Sequence, residues 1–159
     1  MKQKSLARWL KAVLLGLALC GGVLYALVLP AIGQEEVLLY PEFAHCFWPW
    51  LGFLWASGVP CYGVLILAWQ IAGDIGRDRS FTPANARRLQ WIAWLAAGDS
   101  LFFFGMNLLY GLLGMNHPGV LLGSLVVEFA GVCVAVAAGV LSHLVGKAAA
   151  LQEQSDLTV

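Results

Sequence analysis

Four apolar stretches, at about 10–32, 46–72, 91–114 and 119–143, divide the chain, with polar residues gathered between and outside them. About 20 apolar residues at ~1.5 Å each cross a hydrocarbon core ~30 Å thick, so each stretch predicts a transmembrane helix. The second, CFWPWLGFLWASGVPCYGVLILAWQIA, has Trp48 and Trp50 near one end and Trp69 near the other, as two interfacial aromatic belts require. The expected fold class is all-α, an integral-membrane four-helix bundle. Residues 1–159 form one transmembrane domain, in which a cytoplasmic helix end and tail over 144–159 follow the last span.

Polar positions orient the bundle. Lys2, Lys4, Arg8 and Lys11 precede the first span, Arg77, Arg79, Arg87 and Arg88 lie between the second and third, and Lys147 follows the fourth. The segments 33–45 and 115–118 carry no Lys or Arg, and the first of them holds Glu35, Glu36 and Glu42. Positive residues stay on the cytoplasmic side, so both termini and the central loop are expected there. A cleaved signal peptide is the competing reading of the N-terminus. The apolar run is too long for one, and Leu19 stands where the lipoprotein box suggested by LALC wants a small residue. The first span is therefore expected to remain as an anchor.

The central loop contains its own punctuation. Gly73 and Gly76 are expected to close the second helix through the left-handed conformation. Thr82 suits an N-cap, and Pro83 the first helical position, where a missing N–H costs nothing. The segment FTPANARRL then resembles the motif that opens the second half of the domain-of-unknown-function 2975 family of small bacterial four-helix membrane proteins, through Phe81, Asn85 and Leu89. The C-terminal LQEQSDLTV is similar to that family's ending, through Glu153, Asp156, Leu157, Thr158 and Val159, with Gln154 and Ser155 as departures.

The resemblance carries no established activity. It implies companionship with small helix-turn-helix DNA-binding regulators encoded nearby, hence a regulatory or interaction role at the membrane. The candidate cytoplasmic interaction surface combines both motifs: Phe81, Asn85, Arg87, Arg88, Leu89, Glu153, Asp156, Leu157, Thr158 and Val159. Leu141, Leu144, Ala148 and Leu151 form an apolar stripe that runs past Lys147 and needs a cover. The basic loop is expected to supply it, with Glu153 or Asp156 paired to Arg87 or Arg88, and Leu157 and Val159 packed near Phe81.

Composition sharpens one feature of the spans. The chain is 60% hydrophobic and 11% charged, and between Arg88 and Lys147 its only formal charges are Asp99 and Glu128. Both carboxyls fall near the bilayer midplane, where an exposed Asp costs ~2.5–3.5 kcal/mol, so both are expected to face protein. Protonation, a proton shared by the pair, or hydrogen bonds to Ser100, Ser124, Tyr25 or a backbone carbonyl would stabilise them. Ser124, Glu128, Gly131, Ala135, Gly139 and Ser142 fall on one stripe, whose small residues allow close helix approach. Pro60 frees the carbonyl of Ala56 as a further acceptor. Asp99 and Glu128 are thus either a neutral pair that fixes helix register or the site of a small proton-coupled transporter.

The remaining chemistry is sparse. Cys20, Cys61 and Cys133 are expected to be buried apolar side chains, and Cys46 lies near the outer surface. Glu42, His45, Cys46 and His117 could meet there, but without zinc-ligand spacing. His143 is expected to snorkel or cap. No phosphate loop, nucleophile elbow or metalloprotease motif occurs, so no catalytic residue, cofactor or metal is expected. Four arginines beside Asp74 and Asp78 make too small a basic patch for direct nucleic-acid binding. The expected partners are the lipid bilayer and a small cytoplasmic helix-turn-helix protein, and a homo-oligomer is compatible with the sequence.

Overall fold

Each apolar stretch forms a helix longer than the segment expected from hydropathy, although the third stops at Leu112, short of its expected end at 114. The computed structural model describes residues 3–156. Its first rod joins α1 (Gln3–Val23) to α2 (Leu29–Leu39) through a π-helical segment, Leu24–Val28. A 3₁₀ turn, Pro41–Cys46, leads into α3 (Phe47–Ile75), followed by α4 (Pro83–Leu112) and α5 (Pro118–Asp156). Four helical rods are thus long and apolar enough to cross a membrane. The expected loop at 33–45 is a correction, being helical to Leu39 and 3₁₀ beyond Tyr40. Hydropathy marks where lipid ends, whereas a helix continues as long as its backbone bonds are met.

The rods pack in series. The first rests on α3, α3 on α4, and α4 on α5, while among the described residues the backbones of α3 and the first rod stay away from α5. The accessible surface is 10587 Å², against roughly 7,700 Å² for a compact soluble chain of this mass. The bundle is therefore an open row with broad apolar flanks.

Three different devices join the row. Between the first rod and α3, aromatic rings lie over glycines: the Tyr62 ring crosses Gly21 and Gly22, and its hydroxyl donates to Ala18 O at 2.9 Å. Tyr25 returns the arrangement over Gly58, and Trp55 Nε1 donates to the Tyr25 carbonyl at 3.0 Å. Between α3 and α4, Phe53 meets Phe102, Phe103 and Tyr110 at centroid distances of 5.8, 5.1 and 5.7 Å. The Tyr110 hydroxyl then closes on Pro49 O at 3.0 Å.

Between α4 and α5 the contact runs along Ala86, Ala93 and Ser100, seven residues apart, the spacing that keeps one helical seam facing its neighbour. Ser142 Oγ donates to Ala86 O at 2.7 Å, Gly139 lies on Ala93, and Gly131 lies against Ser100 Oγ. The small-residue stripe of α5 thus faces protein, as its spacing predicts. At the far end of α4, Asn107 is 2% exposed, donates to Phe103 O and accepts from Asn116 of the following loop.

The central loop departs from expectation at its start. The left-handed residue is Asp78, at φ 57°, whereas Gly76 is right-handed at φ −66° and Gly73 lies inside α3. Asp78 N–H bonds to Ile75 O at 3.2 Å and Arg79 N–H to Asp74 O at 3.0 Å, the two bonds of a Schellman turn. A short polar side chain tolerates this conformation. Gly76 instead serves packing, since a Cβ there would come within 3.1 Å of the Ala7 Cβ.

Candidate functional sites at the membrane midplane and the basic end

Asp99 lies near the middle of α4 and turns toward α3. Ser57 Oγ donates to its Oδ2 at 3.1 Å, and the Cys61 thiol approaches the same oxygen at 3.6 Å. Ser57 and Cys61 are four residues apart and so share one helix face. Tyr25 lies over Gly58, between their turns, in the π-helical segment of the first rod. Such segments recur where a helix must present unusual backbone or side-chain positions. One carboxyl therefore draws polar groups from three rods to a single level of the membrane.

Glu128 lies on α5 three residues before Gly131, whose backbone packs against Ser100 next to Asp99. No hydrogen bond joins the two acids among the described residues. Of the alternatives, the structure shows side-chain hydrogen bonding, with Asp99 directing one oxygen to α3. Asp99 Oδ1 and Glu128 Oε1 are buried without a hydrogen-bond partner. Of the other expected partners, Ser124 donates to Leu121 O of its own helix at 2.7 Å. Ser57 and Cys61 were not anticipated, although their spacing beside Pro60 was a usable signal.

The second candidate region is the end where all described Lys and Arg residues gather. Thr82 caps α4 as expected, accepting from Asn85 N–H at 3.2 Å, with Pro83 at the first helical position. Asn85 is 1% exposed and is spent on the loop. Its Nδ2 donates to Arg79 O at 3.1 Å and Ser80 O at 3.2 Å, while its Oδ1 accepts from Arg88 at 2.7 Å. Arg88 also donates to Asp74, which Arg79 approaches at 3.8 Å. Asn85 is thus the frame of the proposed surface and not its exposed face. Arg88 is committed to Asp74, which corrects its expected pairing with Glu153 or Asp156.

What the frame presents is Phe81, 55% exposed. A cleft of about 530 Å³ lies between this loop and the end of α5, bordered by Arg79, Phe81, Pro83, Ala149, Gln152 and Glu153. The loop therefore meets α5 through Ala149 and Glu153, while Leu141, Leu144 and Leu151 stay exposed. The expected covering of that leucine stripe is corrected, because it occupies another helix face. Arg87 is exposed and Leu89 half-buried. Leu157, Thr158, Val159 and the Asp156 side chain lie outside the described residues.

The other sequence candidates remain apart. His45 Nε2 lies 3.3 Å from Cys46 Sγ, whereas His117 Nδ1 accepts from Gly119 N–H in its own turn. The described residues contain no group of three or more metal-ligating side chains. Cysteine burial is inverted: Cys46 is buried, and Cys20, Cys61 and Cys133 are exposed. An open row leaves more helix surface toward lipid than a closed bundle would.

A family model described as Protein of unknown function (DUF2975) matches residues 31–159. The chain belongs to this family. The match takes in both motifs and three of the four spans. The chain is also similar to the Uncharacterized membrane protein YoaS of Bacillus subtilis (strain 168), 29% identical over 145 residues, covering 90% of this chain and 88% of YoaS. No solved structure matches it. DUF2975 membership and the helix architecture together make this a multi-pass membrane protein.

Proposed function

We propose that this DUF2975 protein is a membrane-embedded interaction protein, rather than an enzyme, whose basic end docks a small helix-turn-helix DNA-binding regulator in the bacterial cytoplasm. The observation that carries the reading is the exposed Phe81 on a loop made rigid by Asn85, beside the cleft bordered by Glu153. An apolar side chain held out on a fixed polar frame is the form of an interface anchor. The family resemblance supplies the class of partner, and the excess of cations supplies the side of the membrane. Co-expression with the neighbouring regulator and purification in detergent tests it. Wild type retains the regulator, Phe81→Ala loses it, and both insert in the membrane to the same level. Equal retention by the variant overturns the reading.

The two unpartnered carboxyl oxygens favour a second reading, a small proton-coupled transporter built on Asp99 and Glu128. Proteoliposomes test it directly. A proton flux that disappears in the Asp99→Asn, Glu128→Gln variant would support it, and no flux in wild type would remove it.

A further inference from the structure

The α4–α5 seam opens, toward the basic end, into a groove of about 570 Å³ on one flank of the hairpin. Ala93, Ala97, Ala135 and Gly139 form its small-residue floor, and Gln90 and His143 are polar side chains in its wall. Trp94 borders it and is 66% exposed, with Trp91 beside it 57% exposed. The hydrogen bond from Ser142 to Ala86 sets the helix register, so Arg87 and His143 lie at the same depth. Arg87 is three residues before Gln90, and Lys147 four after His143, so each cation shares the face of a groove residue. Both are exposed, and neither enters an ion pair among the described residues.

We propose that this groove is a binding site for an anionic phospholipid of the adjoining leaflet. Its phosphate sits among Arg87, His143 and Lys147, and one acyl chain lies along the alanine and glycine floor. Charge complementarity selects the occupant. The groove is apolar where acyl chains are and carries uncompensated cations where headgroups are, the arrangement by which basic pockets between membrane helices hold anionic lipid. A helix from a second copy would leave those cations unanswered. The inference is independent of the regulator, since the groove shares no lining residue with the cleft beside Phe81.

Full-length protein in phosphatidylcholine vesicles is titrated with brominated phosphatidylglycerol, and tryptophan quenching is followed. Wild type shows saturable quenching at a low mole fraction, and Trp94→Phe reduces its amplitude. In the double variant Arg87→Gln, Lys147→Gln the midpoint moves up about thirtyfold, corresponding to about 1 kcal/mol per cation. Arg77→Gln, in the central loop, leaves it unchanged. Glycerol phosphate at matching concentration does not relieve the quenching, because it lacks the chain. Non-saturable quenching, an equal response to brominated phosphatidylcholine, or an equal shift in Arg77→Gln overturns the proposal. So does disulfide formation between two chains carrying Ala97→Cys in a cysteine-free background, which would seat a second copy in the groove.

Discussion

Asn85 concentrates more of the basic end in one side chain than any of its neighbours, because its amide makes three hydrogen bonds that tie the loop to the start of α4. Asn85→Ala would strand the carbonyls of Arg79 and Ser80 and release Arg88, at a cost of about 2–3 kcal/mol. Thermal unfolding in detergent should show the loss, whereas the exposed Arg87→Ala should stay within about 0.5 kcal/mol of wild type. The Thr82–Pro83 cap was legible because its signals are local. The role of Asn85 was not, since it depends on carbonyls that only the folded loop brings back to it. Asp99 presents the same problem across helices: the sequence located the acid, but rotation of α3 decides that Ser57 and Cys61 are its partners. If that network fixes register, Asp99→Asn with Glu128→Gln keeps the fold and regulator retention, since amides preserve hydrogen bonding without charge. Loss of folding in that variant would contradict both the register reading and the transporter reading.

Among the elements, α5 depends most on one interface, because among the described residues α4 is the one helix whose backbone packs closely on it. Side chains larger than glycine along the seam should therefore separate the hairpin. A Cβ at Gly131 would collide with Ser100 Oγ, whereas Gly123 has open space around it. Gly131→Leu is expected to destabilise by about 1–3 kcal/mol through overpacking, and Gly123→Leu by much less. Thermal melts of the two variants distinguish a packed seam from a general intolerance of bulk. The stripe on α5 was readable because small residues at spacings of three and four persist over five turns. The serial packing was not readable, since apolar lipid-facing and protein-facing positions look alike when lipid replaces water as the solvent. For the same reason Cys20, Cys61 and Cys133 were misplaced, as a cysteine suits either surface.

For the whole molecule, the asymmetry of charge along the row predicts one orientation. The described cations Lys4, Arg8, Lys11, Arg77, Arg79, Arg87, Arg88 and Lys147 lie at one end, and Glu35, Glu36 and Glu42 at the other. Lys11 is held there by Trp69, its Nζ 5.1 Å from the ring centroid. The 39-residue α5 is about 58 Å long, nearly twice a hydrocarbon core. Because Ser142 is level with Ala86, its surplus length projects mostly from the basic end, beside the Phe81 loop. Positive residues resist translocation, so that end is expected to face the cytoplasm. Single cysteines replacing Glu36, Asp78 and Gln152 in a cysteine-free background should then divide two ways. In intact cells an impermeant maleimide should label position 36 alone, and permeabilisation should expose 78 and 152 together. Labelling of 78 without 152 would separate the central loop from the end of α5 and dissolve the docking surface. Labelling of all three from outside would remove the four-span arrangement itself.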